Sequence, residues 1–155
     1  MEDRPGALVA RRSAATFVVN SLAAKAQSVA EIESKLERRG VPADVAASVI
    51  SEALRLGYVD DAALAGQLAR GFLSRGYGRR RAAAALGRRG LPAALADEAL
   101  SSAYGATDEV ELARAALGTR RVDGDASRRR AVGFLVRRGF SGAAAWQAVR
   151  APRDD

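Results

Sequence analysis

Two runs of three arginines and three Arg-Arg-Gly steps are the residues of this 155-residue chain best suited to act on a partner. The triplets are Arg79-Arg80-Arg81 and Arg128-Arg129-Arg130; the pairs are Arg38-Arg39, Arg88-Arg89 and Arg137-Arg138. Their chemistry is anion recognition, because a guanidinium fork holds phosphate or carboxylate bidentately. Catalysis has little to draw on. Without Cys there are no disulfides, thiolate metal sites or thiol nucleophiles. Without His the commonest general base and transition-metal ligand are missing. An enzyme, a cofactor and a bound metal are therefore not expected. Asp60-Asp61 suits a helix cap better than a cation site. Gly76-Tyr77-Gly78 lacks the Gly-x-x-x-x-Gly-Lys-Ser/Thr pattern of a phosphate loop. Tyr58 and Tyr77 could stack on bases or cap helix ends, and Trp146 reads as core.

The net charge of +7 points to an anionic partner: nucleic acid, acidic lipid or an acidic protein face. All but Lys25 and Lys35 of the 25 basic residues are arginine, a bias that a GC-rich genome explains together with the heavy alanine content. Alanine favours helix, and aromatics are 5%, so a sheet is not expected. No stretch approaches the ~20 apolar residues of a membrane span. The N-terminus lacks a signal-type apolar core, which makes the cytoplasm the expected location and excludes a membrane partner.

The elements that must carry the arginines emerge from comparing the chain with itself. Leu36-Glu37-Arg38-Arg39-Gly40 recurs as Leu86-Gly87-Arg88-Arg89-Gly90 and as Leu135-Val136-Arg137-Arg138-Gly139, with the glycines 50 and 49 residues apart. Pro42 and Pro92 match as well, with Ser141 in the third copy. The pattern predicts an all-α fold of three tandem three-helix repeats, about nine helices, stacked into a curved, elongated array. The repeats are expected at 11–57, 58–105 and 106–151, between flexible tails at 1–10 and 152–155.

In the first repeat, helices are expected over about Arg11–Ala26, from Ser28 to Gly40, and over about Ala43–Leu56. Phe17, Val18, Ser21 and Leu22 form one stripe; Val29, Ile32 and Leu36 form a second; Val45, Val49, Ile50, Ala53 and Leu54 form a third. Ser28-Val29-Ala30-Glu31 is a capping box, and Gly40 supplies the left-handed residue after the last turn. The second repeat opens with Asp60 as N-cap, then places helices at about Arg79–Arg89 and Pro92–Ala103. The third has helices from about Thr107 to Arg120, Ser127 to Arg138 and Ser141 to Arg150, with a loop at 121–125.

On that assignment the arginine pairs lie in last helical turns, where cations complement the negative helix end. The triplets open helices, where cations are disfavoured, and a local rule broken twice suggests a functional anion site. Replacing a triplet is then expected to leave stability unchanged or slightly raised, and replacing Arg88-Arg89 to cost modest stability.

These residues resemble the RecX family, the regulatory proteins of the RecA recombinase. The similarity rests on Lys35-Leu36-Glu37-Arg38-Arg39-Gly40, on Gly57-Tyr58-Val59-Asp60-Asp61, on Gly76-Tyr77-Gly78 with its following arginines, and on the later Leu-x-Arg-Arg-Gly ends. It covers about residues 15–150. The resemblance implies a non-enzymatic modulator that lies in the groove of the RecA–DNA filament, inhibits recombinase and ATPase activity and favours disassembly. Arg79, Arg80, Arg81, Arg128, Arg129, Arg130, Arg88, Arg89, Arg137 and Arg138 are then the candidate RecA- or DNA-binding residues, and the chain is expected to be a monomer. The alternative is a free-standing, non-specific DNA-binding protein with helix-turn-helix-like units. Its recognition helices should present base-reading side chains, whereas Ala94-Leu95-Ala96-Asp97-Glu98 is alanine-rich and acidic. Any binding to single- or double-stranded DNA is expected to be sequence-independent and strongly salt-dependent.

Overall fold

The structure, a computed structural model, describes residues 5–150. Among these residues there are nine helices and no strand: α1 (Pro5–Ala24), α2 (Val29–Arg38), α3 (Ala43–Arg55), α4 (Asp61–Ser74), α5 (Arg79–Arg88), α6 (Ala93–Tyr104), α7 (Glu109–Leu117), α8 (Gly124–Arg137) and α9 (Gly142–Arg150). The fold is all-α and its helices come in repeated three-helix units.

Three boundaries differ from the sequence-based expectation. Helix α1 begins at Pro5, so residues 5–10 of the expected N-terminal tail are helical. Proline suits a first helical position, and Ala7, Leu8 and Ala10 are good helix formers. The rest of that tail, and the C-terminal tail at 152–155, lie outside the described residues. Helix α7 stops at Leu117, where Gly118 adopts φ 58°. Helix α8 starts at Gly124 instead of Ser127: Gly124, at φ 78°, turns the chain into the helix one turn early, and the expected loop shortens.

The described residues form two compact units. The first runs through Leu64 and includes Arg88–Pro92; the second holds Ala65–Gly87 and the chain from Ala93 on. In the first unit α1 and α2 pack on α3. Val18, Ile32, Leu36, Val49, Ile50 and Ala53 fill the core. Burying Ile32 and Leu36 completely contributes about 1.5–3 kcal/mol each. Leu54, expected to face inward, is 47% exposed. The stripe through Val49, Ile50 and Ala53 already fills the space, and position 54 lies a further 100° around the helix. In the second unit α9 packs on α7 and α8 around Leu117, Leu135, Phe140, Ala145 and Val149, with Trp146 half-buried against them.

Ser141 explains why the third copy lacks proline. Its Oγ accepts from the Ala144 N–H (3.2 Å) and donates to the Glu109 carboxylate (3.0 Å), which also accepts the Ser141 N–H (2.7 Å). Proline could offer neither the hydroxyl nor the N–H.

The repeated glycines do more than end helices. Gly40, Gly90 and Gly139 take φ of 72°, 71° and 100°. In the second unit the C-terminal end of α8 meets the N-terminal end of α5. The Gly78 N–H donates to the Arg138 carbonyl (2.9 Å), and the Arg80 N–H donates to the Gly139 carbonyl (3.2 Å). Free donors at one helix start thus find free acceptors at another helix end. The approach needs bare backbone: a Cβ on Gly139 would stand 2.5 Å from the Arg81 N and Cβ, and one on Gly78 would overlap the Gly139 carbonyl. Around Gly40 the space is open.

Gly40→Ala and Gly139→Ala therefore separate two costs. Gly40→Ala should lose about 1 kcal/mol through backbone strain alone. Gly139→Ala should lose about 2 kcal/mol more, because α5 must move. Urea unfolding of both variants checks this, and equal losses would mean that the joint has room for a side chain.

Candidate arginine-lined interface

The structure gives the ten candidate arginines three different surroundings. Arg79, Arg80 and Arg81 open α5 as expected, but that helix start is not a vacant anion site. The α8 carbonyls already occupy it, and the negative end of α8 offsets the positive end of α5. Arg81 joins the contact: its Nη1 donates to the Arg137 carbonyl (3.2 Å) and its guanidinium lies 4.6 Å from the centre of the Tyr77 ring. Arg79 donates to Ser101 Oγ (3.2 Å). These contacts give Arg81 a part in the fold that the expectation of replacement without loss of stability does not include.

Arg128, Arg129 and Arg130 do not open a helix. With α8 starting at Gly124 they lie in its second turn, past the free N–H groups, and all three are exposed. Asp125 in the first turn sits 3.4 Å from Arg128 in an exposed pair of little energetic weight. The helix-start argument therefore fails for this triplet, and what remains is a solvated cationic face.

The Arg-Arg pairs split internally. Arg38, Arg88 and Arg137, the first member of each, are exposed. The second members bind protein. Arg39 stacks over Phe17 at 4.1 Å. Arg138 lies 4.2 Å from the centre of the Tyr77 ring and donates to the Arg75 carbonyl (3.0 Å). Tyr77 also packs on Phe72, and its carbonyl accepts the buried Tyr104 hydroxyl (2.8 Å). Burial raises the Tyr104 pKa. Tyr77 is thus a hub for arginines, with its ring engaged rather than offered to a base, whereas Tyr58 is 55% exposed.

Arg89 anchors the first unit's version of the joint. Its guanidinium pairs with Glu31 and donates to the Ala26 carbonyl (3.0 Å), while its own carbonyl accepts from Ser28 Oγ (2.5 Å). The capping box is present: Ser28 Oγ accepts the Glu31 N–H (3.1 Å) and Glu31 accepts the Ser28 N–H (2.9 Å). Asp61 adds a cap, accepting the Val29 N–H at 3.0 Å, and Asp60 caps α4 by accepting the Ala63 N–H at 3.0 Å. Burial pushes the Glu31 pKa up. The Arg89 hydrogen bond, the Ser28 N–H and the charges of Arg89 and Lys25 outweigh that and hold it below its ordinary 4.5. Local rules found the box but not Arg89, which is 58 residues away in sequence.

Among the described residues no group of three or more metal-ligating side chains is present, and no helix is long and apolar enough to cross a membrane. In class this is a basic, all-helical repeat protein built on arginine joints. Residues 16–52 match the family model for the first three-helix domain of RecX, and residues 60–100 match that for the second. The chain is 34% identical over 141 residues to the regulatory protein RecX of Mycolicibacterium smegmatis, covering 83% of this chain and 73% of that one. It is 35% identical over 149 residues to that of Deinococcus radiodurans, covering 90% and 68%. The crystal structure of RecX from Lactobacillus salivarius superposes with a TM-score of 0.75 over 92% of this chain and 96% of that one; at 16% identity this speaks to the fold alone. The chain belongs to the RecX family of non-enzymatic regulatory proteins.

Arg89→Gln should cost about 1–2 kcal/mol by removing a half-buried charged hydrogen bond. The pH dependence follows from the depressed Glu31 pKa. The pair's contribution is complete above 4.5 and is lost as pH falls through the lower folded-state value. Denaturant unfolding of parent and variant should thus differ fully at neutral pH and converge in acid. A gap that persists unchanged in acid would contradict the assigned ion pair.

Proposed function

We propose that this chain regulates a RecA recombinase by lying in the groove of the RecA–DNA filament, where it inhibits recombinase and ATPase activity and so modulates homologous recombination and repair. The proposal takes the repeats to be 11–57, 58–105 and 106–151, and the active species to be a monomer. Family membership supports the regulatory role. The observation that carries the interface is the division among the arginines. Arg39, Arg81, Arg89 and Arg138 contact the protein's own rings, carbonyls or carboxylate, Arg39 and Arg81 while still exposed, whereas Arg38, Arg80, Arg88, Arg128, Arg129, Arg130 and Arg137 present exposed charge with few or no partners. Cations that stability does not need are the ones available to a partner.

The alternative of a free DNA reader has less support. In α6, Asp97 and Glu98 are exposed among alanines, which places acids where a recognition helix would meet phosphates.

The test is the DNA-stimulated ATPase of RecA with and without the protein. Inhibition is expected, and no effect at saturating protein would overturn the proposal. A variant carrying Arg128→Gln, Arg129→Gln and Arg130→Gln should melt within a few degrees of the parent, since exposed substitutions usually change stability by less than about 0.5 kcal/mol. It should inhibit less. Arg81→Gln should lower the melting temperature instead. If the α8 variant inhibits like the parent, those arginines are solvated surface.

A further inference from the structure

The first turns of α1 have little cover. From Pro5 to Ser13 every residue but Ala10 is exposed. Leu8 and Val9 are among them, Val9 at 68%. A helical stretch this short gains little stability from its own hydrogen bonds, and a packed face normally sustains it. These turns also precede residue 16, where the match to the first RecX three-helix domain begins.

The same helix walls an open groove of about 840 Å³ within the first unit. Val9, Arg12, Ser13, Thr16 and Phe17 line it from α1, and Arg39 lines it from the C-terminal end of α2. No carboxylate lines it. Arg39 sits over the Phe17 ring at 4.1 Å, which fixes where its guanidinium stands. Neither Arg12 nor Arg39 uses its guanidinium in a hydrogen bond or ion pair among the described residues. Two guanidinium forks without a protein acceptor thus stand beside exposed apolar surface.

We propose that this groove docks an acidic segment of a partner protein, one that sets carboxylates beside an apolar side chain. The inference goes beyond the filament reading above and uses none of the exposed cations on which that reading rests. Charge and surface together select the occupant. Guanidinium forks match carboxylates bidentately, and an apolar neighbour of those carboxylates covers Val9 and Phe17. A nucleic-acid strand would bring phosphates to the forks but leave Val9 bare, and the ring on which a base would stack already carries Arg39. A second copy on the same face would set arginine against arginine. A bilayer would need a continuous apolar face, which Arg12, Ser13 and Thr16 interrupt.

The experiment is fluorescence anisotropy of a labelled peptide of alternating Glu and Leu, titrated with the full chain. The parent should bind it, and should bind an all-Glu peptide and a Gln–Leu peptide more weakly. Arg12→Gln/Arg39→Gln is expected to weaken binding about tenfold through two lost fork pairs. Val9→Ser is expected to weaken it about fivefold through lost apolar burial. The charge-matched control Arg70→Gln/Arg129→Gln should bind like the parent. Circular dichroism melts check folding; if Arg39→Gln releases Phe17 and lowers the melting temperature, Arg12→Gln and Val9→Ser, both at exposed positions, carry the comparison. Equal losses in groove variant and control would reduce the effect to net charge and overturn the site. So would a parent that does not bind the peptide, or binding that is indifferent to Val9→Ser. Displacement of the peptide by a thymidine 30-mer, binding to phosphatidylglycerol vesicles that the groove variants abolish, or a dimer that Val9→Ser abolishes would each assign the groove to another occupant and overturn the proposal. The RecA ATPase assay needs none of these peptides, so the regulatory reading stands or falls separately.

Discussion

The structure depends on one recurring contact, in which the carbonyl end of a helix closes on the N–H end of another. A helix start leaves up to four donors and a helix end four acceptors without partners. In the second unit, the Arg138 and Gly139 carbonyls take the Gly78 and Arg80 N–H groups. In the first unit, side chains mediate the same meeting: Ser28 Oγ reaches the Arg89 carbonyl and Glu31 takes the Arg89 guanidinium. Two unlike solutions at equivalent places imply that the docking is what matters and the atoms that satisfy it can vary. Alanine-rich helices with few aromatics bury modest apolar area per residue, so such polar joints carry weight out of proportion to their size.

The joint also decides which arginines are available. An arginine one residue before the left-handed glycine turns back onto its own fold, and its neighbour one step earlier faces solvent. The pattern Leu-x-Arg-Arg-Gly therefore sets its second arginine against the fold and its first outward, with Arg39 still exposed while it stacks on Phe17. That pairing presents a cationic surface without crowding its charges at helix starts.

Much of this was legible in the sequence, because it is local. The glycine period, the capping box at Ser28 and the core stripes at Ile32–Leu36 and Val49–Ala53 follow from neighbours within a few residues. The misjudged features are non-local. The positive start of α5 looked anomalous because its counterweight, the end of α8, lies about 60 residues away. Arg89 looked like a simple helix-end cation because Glu31 is 58 residues distant. The α8 triplet was misplaced for a different reason. Asp123-Gly124-Asp125 has the composition of a loop, yet Gly124 can take the positive φ that turns the chain into a helix one turn early.

The most direct measurement of the joint is amide hydrogen exchange at the start of α5. First-turn amides ordinarily exchange fast because they have no helical acceptor. If the α8 end is seated, the Gly78 and Arg80 amides should be strongly protected, well beyond the first-turn amides of α3, where Pro42 supplies no side-chain cap. Exchange at Gly78 and Arg80 as fast as at Asp44 and Val45 would contradict the joint and the division of arginines derived from it.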